Sequence, residues 1–429
     1  MSKILLKDII SYKKGNAFKS TDYQKDGVAI VRVSDFENDT VNLNNLYYVS
    51  KEVADKNKNV ILNKYDVVVT TVGASAGNFI RVPEMAEGYL LNQNAVRLRI
   101  NSDEKFEKIY LFYALKYKKF TQYLLAGAQG SAQPSIVLDQ ILNAEIPYPK
   151  KDRRKYISEV LFTLDKKIQL NTQINQTLEQ IAQTIFKSWF IDFDPVHAKA
   201  NALASGQTAE QATQVAMAVI SGKNTQELHR LQTANPKQYQ QLWEIAEAFP
   251  RGVDEEGVPR GWEERYLKDV CNIVYGKGLP KNKLTEKGFY VFGANGVIGF
   301  YDSYTYEKPQ VLIGCRGTVG QVTLSYPYSF VTNNSLVIEY ENSCVSMYYL
   351  EKYLSNINLK EISSGSVQPQ ITIQNMSKVK ILIPNIEILN FYSEKVKEIY
   401  DKRLHHFYEN QSLSKVRDLL LPKLLSGEV

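Results

Sequence analysis

Gly130 to Ile136 reads GSAQPSI, and Gly365 to Ile371 reads GSVQPQI. Two such polar turns, 235 positions apart, make an internal repeat the first thing to test. The same offset carries Ile146 and Pro149 of AEIPYP onto Ile381 and Pro384 of KILIP. It also carries NQTLEQI from Asn175 onto NQSLSKV from Asn410, so that Leu178 falls on Leu413 and Ile181 on Val416. Upstream the offset drifts, as loops that accept insertions allow. Leu6-Lys7-Asp8 answers to Leu267-Lys268-Asp269, an offset of 261, so the second copy is about 26 residues shorter ahead of its turn. Between these anchors DVVVTTVGASAGN from Asp66 matches QVLIGCRGTVGQ from Gln310, and LLNQNAVRLRI from Leu90 matches FVTNNSLVIEY from Phe330.

Each copy splits into two parts. The first shows short β-branched runs such as VAIVRV, DVVVTTV and QVLIG, broken by Gly and Asn, with helical patches at IYLFYALKYKKFTQYLL and MYYLEKYLSNI. This predicts a compact α/β domain. The second part is a long helix. Ile157, Leu161, Leu164, Ile168, Asn171, Asn175, Leu178, Ala182, Ile185 and Trp189 recur in steps of three and four, the spacing of a coiled-coil seam. Leu389, Tyr392, Val396, Ile399, Arg403, His406, Asn410, Leu413, Arg417 and Leu420 repeat it. Asparagines at seam positions cost stability and fix register, which marks Asn171, Asn175 and Asn410 as register residues, with Asn175 expected to face Asn410 in an antiparallel pair. The expected fold is therefore α/β: two globular α/β domains joined by two long antiparallel coiled-coil helices, with an internal pseudo-two-fold repeat. The boundaries are 1–150, 151–193 for the first helix, 194–260 for an Ala/Gln-rich helical connector, 261–385, and 386–429 for the second helix.

The chain has 429 residues with 44% hydrophobic content, ample for several buried cores. MSKILLKDII mixes charge into its apolar residues and no apolar run approaches the roughly 20 residues of a spanning helix, so the expectation is a cytoplasmic protein with no membrane partner. Cys271, Cys315 and Cys344 are odd in number and widely spaced, which supports neither a disulfide framework nor a metal site. A net charge of +6 permits nucleic-acid binding without indicating it, and 28 tyrosines suit either an interface or β-rich cores.

Enzyme chemistry finds no constellation. GANGVIG from Gly293 lacks the helix and acidic partner of a cofactor loop, and DFDPVH from Asp192 lacks the second proline and aromatic of a methyltransferase loop. There is no Glu-x-Lys cluster for a metal-dependent nuclease and no GxxxxGK[ST] loop, and ISSGS at Ile362 has no base nearby. No catalytic residue and no cofactor site is expected.

Two equivalent heads suit duplex DNA, whose local two-fold symmetry lets a protein read two half-sites. Lys13, Lys14 and Lys19 in the first copy, and Lys277, Lys281 and Lys283 in the second, supply charge for phosphates. Base edges call for forked or amide groups, giving Arg32, Asn78, Asn92, Gln93 and Asn94 in copy one and Asn295, Arg316, Asn333 and Asn334 in copy two. Ser131, Gln133, Ser366 and Gln368 of the repeated turns complete the set. The helices agree between copies and the loops differ, which implies a split, asymmetric target.

The GSxQP…IP segment in duplicate, the long helices, NQTLEQIAQTIFKSWFIDFDPV from Asn175 to Val196 and VPRGW from Val258 to Trp262 together resemble the specificity subunit of type I restriction-modification systems. The resemblance spans nearly the whole chain. It implies two target-recognition domains that bind double-stranded DNA without doing chemistry, and helices that set the unread gap. It further implies two modification subunits carrying S-adenosylmethionine, and restriction subunits using ATP and Mg. Phe186, Trp189 and Phe190 are the expected docking contacts for the modification subunits. The competing expectations are a coiled-coil adaptor that never touches DNA and an enzyme with an unfamiliar site.

Overall fold

A computed structural model describes residues 2–126, 136–365 and 368–429. The chain divides into two compact units, Met1–Asn171 with Tyr408–Val429, and Thr172–Phe407. Each unit thus holds one head and half of each long helix, which run Lys151–Phe190 and Ile386–Ser426.

In the first unit an antiparallel sheet orders its strands Ile10–Lys14, Ala95–Ile100, Val67–Thr70 and Phe79–Arg81. In the second, Asn272–Tyr275, Ser335–Glu339, Val311–Gly314 and Val322–Leu324 follow the same order. The strands Val67–Thr70 and Val311–Gly314, VVVT and VLIG, are central in their sheets and wholly buried, covered on both faces. A further small sheet in each head contains a parallel pair, Leu90–Leu91 on Ile30–Val31 and Phe330–Val331 on Val291–Phe292. Beyond that pair the heads diverge. Val28–Val31 takes Tyr47–Val49 as its other neighbour, whereas Phe289–Gly293 turns back as a hairpin onto Gly296–Tyr301. Ile30 corresponds to Val291, an offset of 261, and Val67 to Val311, an offset of 244, so most of the shortening of copy two falls in this divergent stretch.

Within the first unit the two long helices run antiparallel: Asp165 bonds Arg417 at 2.9 Å, Lys167 meets Glu409 at 3.3 Å, and Asn171 Nδ2 donates to Asn410 Oδ1 at 2.8 Å. In the second unit Asn175 Oδ1 lies 2.9 Å from His406 Nδ1, Glu179 pairs with Arg403, and Phe186 and Trp189 pack on Tyr392. Every predicted seam residue is buried or half-buried. The expected Asn175–Asn410 contact is not formed: Asn410 faces Asn171, and Asn175 faces His406 one turn away. Adding 235 turns Asn171 into His406 and Asn175 into Asn410. In an antiparallel pair a residue meets its own repeat counterpart only at the midpoint, which lies between positions 171 and 175.

Phe186, Trp189 and Phe190 are 0, 2 and 1% exposed, and this overturns their expected role as surface contacts. The end of the first helix is driven into a core with Tyr349 and Tyr392, Phe249 sits edge-on to Trp189 at 5.1 Å, and Trp262 of VPRGW packs on Phe190 and Phe193. Burying so large an aromatic cluster is worth several kcal/mol, about 2 per side chain.

The connector is four helices, Asp194–Ala204, Ala209–Ser221, Thr225–Ala234 and Pro236–Ala248. Thr208 with Gln211 and Asn224 with Glu227 form capping boxes, and Asn235 caps a helix that begins at Pro236. Lys199, fully buried, donates to the carbonyls of Ala246, Glu247 and Phe249, closing the C-terminus of the fourth helix. Burial pulls this ammonium below the usual lysine range, and the three carbonyls keep it in place. Lys199→Met keeps the stem and orphans these carbonyls, so chemical denaturation should show a loss of on the order of 3 kcal/mol.

Candidate nucleic-acid interface

In each head three loops meet at one edge through equivalent backbone hydrogen bonds. The loop after the central strand donates from Thr71 to Asn94 O in the first head and from Cys315 to Asn334 O in the second, at 3.0 and 2.9 Å. The same residues accept from Ile136 and Ile371, which end the repeated turns, at 3.0 and 3.2 Å. Both isoleucines are buried, so the chain at Ile136 and at Ile371 is held at the edge. The first sheet strand arrives alongside, bridging Asn16 to Asn92 and Lys277 to Thr332.

These approaches are too close for side chains. A Cβ on Gly15 would stand 1.9 Å from Asn92 O, and one on Gly276 2.3 Å from Thr332 O. The two glycines stand at the offset of 261 that also aligns Leu6-Lys7-Asp8, a signal present in the sequence that residue-type reasoning about bases and phosphates passes over. In the second head Gly314 adds a third approach, its Cβ position 2.6 Å from Ala294 O, which draws the Ala294–Asn295 hairpin turn to the edge.

The edge of the second head therefore gathers Lys277, Asn295, Arg316, Asn333 and Asn334, with Gln368 on the adjoining turn. All six are exposed. Asn333 N donates to Lys277 O at 3.1 Å, fixing those two to each other. The first head gathers Asn92, Gln93, Asn94 and, through the Thr70 and Gly77 turn, Asn78. Asn92 Oδ1 accepts from Gln93 N at 2.7 Å, and Asn94 sits in the left-handed region at φ 70°, so the tip projects Gln93 and Asn94 outward. Asn16, bonded through Nδ2 to Asn57 Oδ1 at 2.6 Å, joins this edge unforeseen.

Other predicted residues stand apart. Arg32 follows the strand whose Val31 O accepts from Asn92, but its fork is bidentate to Asp35 at 2.7 and 3.1 Å and its guanidinium lies 4.0 Å over Tyr47, so its donors serve the protein. Lys13 and Lys14 lie on Ile10–Lys14, opposite Arg97 and Val96, while Lys19, Lys281 and Lys283 occupy outlying turns. Among the described residues none of these lysines, nor Lys277 or Arg316, is in an ion pair, which leaves their charge available to an anion. Ser131, Gln133 and Ser366 lie outside the described residues. Among the described residues no cluster of metal-ligating groups occurs, and no helix is long and apolar enough to cross a membrane. Burial pushes the Cys271 thiol up to about 11 and raises that of Cys315, which makes both poor nucleophiles.

Two heads that share the order of their main sheet, each presenting an amide-rich edge of its own composition, define a tandem protein with two matched loop edges. The family model for the type I restriction modification DNA specificity domain matches residues 1–180 and 259–416. The HindI type I restriction enzyme specificity subunit of Haemophilus influenzae is 34% identical over 401 residues, covering 86% of this chain and 87% of that one. The MjaIX specificity subunit of Methanocaldococcus jannaschii is 24% identical over 343 residues, covering 75% and 68%. A crystal structure of a type I restriction-modification S subunit from M. genitalium shares the fold with a TM-score of 0.55 at 16% identity, over 99% of this chain and 95% of that one. The chain belongs to the type I restriction-modification DNA specificity family. The connector lies outside the matched ranges.

Gly15→Ala and Gly276→Ala, small changes by volume, force a backbone shift at the edge, and each should cost about 1–3 kcal/mol. Amide hydrogen exchange should localise the loosening to 91–94 in the first variant and 331–334 in the second; protection unchanged at those amides contradicts the assignment.

Proposed function

We propose that this chain is the DNA-reading subunit of a type I restriction-modification complex. Each head reads one part of a bipartite site in double-stranded DNA, and the helix pair sets the unread gap. The observation that carries the proposal is the contrast between frame and edge: the strand order of the main sheet, the pinning bonds and the close approaches at Gly15 and Gly276 agree between heads, while the side chains offered do not. Gln93 and Asn94 suit adenine-rich steps, and Arg316 beside Asn333 and Asn334 adds a guanine-reading fork in the second head. Two half-sites of different sequence follow. Lys277 at the edge of the second head, and the unpaired lysines elsewhere on the two heads, supply the sequence-independent part of the affinity.

The bond chemistry belongs to partners. Modification subunits would bring S-adenosylmethionine and methylate adenine, and restriction subunits would use ATP and Mg. The test is to express the chain with its modification subunit and map methylated adenines across a genome. A motif of two specified parts with one fixed gap is expected. Methylation without such a motif, or with a single contiguous one, sinks the proposal. Arg316→Ala should relax one position of one half-site by about 1–3 kcal/mol and leave the other half unchanged.

Docking of the modification subunits moves from the buried aromatics to exposed apolar positions of the long helices. Ile181 and Val416, 44 and 45% exposed, are repeat counterparts, as two copies of one partner require. Ile181→Glu and Val416→Glu should each lower the bound modification subunits from two to one, measured by native mass spectrometry, and the double variant should bind none.

A further inference from the structure

Each unit contains a carboxylate on the first long helix that is bonded at once to its head and to the second long helix. In the first unit Asp165 accepts from Tyr113 Oη at 2.5 Å, Arg81 Nη2 at 3.2 Å and Arg417 Nη1 at 2.9 Å. Tyr113 and Arg81 belong to the head, on the helix Lys105–Lys116 and the strand Phe79–Arg81, and Arg417 to the second long helix. Arg81 also stacks 4.8 Å over Phe162 of the first long helix, and Lys116 holds Asp39 at 2.7 Å beside Arg417. In the second unit Glu179 pairs with Lys352 of the head and Arg403 of the second long helix. Lys352, 3% exposed at its side chain, is further held by Glu351 at 3.1 Å, and Glu351 accepts from Tyr400 Oη at 2.6 Å.

Tyr113 and Arg417, two of the Asp165 partners, border an opening. An open cavity of about 660 Å³ lies beside them, lined by Phe112, Tyr113, Lys116, Arg417 and Leu421. Apolar packing on Ile157, Leu161, Leu424 and Leu425 holds the first head to its helices, and the directional charge-assisted bonds at Asp165 add an angular preference that packing lacks. The two carboxylates also break the repeat. Adding 235 places Tyr400 at the position of Asp165 and Ser414 at that of Glu179, so the first long helix carries both. A frame that repeats with fastenings that do not is what independent adjustment of each head demands.

We propose that Asp165 and Glu179 are positioning residues that clamp each head onto its stretch of the helix pair, and so fix the single gap length that the complex accepts. The proposal rests on the bipartite reading above. The complex with its modification subunit is assayed on duplexes carrying the mapped motif at its natural gap and at gaps one base pair shorter and longer. Asp165→Asn and Glu179→Gln should each reduce discrimination against the wrong gaps about tenfold, the size expected from weakening one charge-assisted bond, with both half-sites unchanged. Asp165→Glu should restore part of it, and Tyr113→Phe, which removes one donor, should give a smaller loss. Full gap discrimination in Asp165→Asn or Glu179→Gln overturns the proposal. If Asp165→Asn fails to assemble, Tyr113→Phe decides, and its keeping the wild-type discrimination overturns it equally. Failure of the wild-type chain to show a bipartite motif would instead reject the function itself.

Discussion

The antiparallel register of the two long helices is the constraint from which the rest of the structure follows. It is set by amide and imidazole groups in an otherwise apolar seam: Asn171 on Asn410 in one unit, Asn175 on His406 in the other. A slip by one turn would re-pair some of these groups but leave others against apolar residues, Asn171 on Leu413 and His406 on Leu178 in one direction or Asn410 on Ile168 in the other, with desolvation costs of about 1–3 kcal/mol each. The apolar seam alone has no such preference, because leucine against isoleucine tolerates many registers. The polar pairs thus exchange some stability for a unique alignment, and that alignment decides which carboxylate of the first helix meets which arginine of the second.

Much of this was legible in the sequence. The seam could be read because a 3.5-residue period survives any detail of packing, and all twenty seam positions are withdrawn from solvent. The tandem order could be read because one offset held from GSAQPSI to NQTLEQI. The exact facing of the asparagines could not. Asn175 and Asn410 are repeat counterparts, but counterparts coincide only on the midpoint of an antiparallel pair, and the pairs Asn171–Asn410 and Asn175–His406 put that midpoint between 171 and 175.

The site was legible by residue type and not by commitment. Asn333, Asn334 and Arg316 are exposed together at one edge of the second head. Arg32 looked the same in sequence, yet Asp35 three residues on captures its fork, a local pairing that depends on the turn at Val33–Asp35. Phe186, Trp189 and Phe190 failed for the opposite reason. Aromatics on several faces of a helix end suit either a docking surface or a core, and only the folding back of the connector, with Phe249 and Trp262, selects the core.

The glycines show how a shared frame supports two different heads. Gly15 and Gly276 let a strand lie against the carbonyl of the neighbouring loop, so the edge is held by backbone atoms that every sequence possesses. The tip side chains Gln93, Asn94, Asn333 and Asn334 are then free of structural duty, while Asn92 and Asn16 keep theirs. Gln93 replaces Asn333, and a hairpin at Asn295 occupies space that the first head fills differently, without disturbing the pinning bonds of Thr71 and Cys315. A recognition surface can diversify when its scaffold asks nothing of the residues that do the recognising. The half-buried carboxylates Asp165 and Glu179 are bound by the opposite rule, since each satisfies donors from separate elements and neither can change alone.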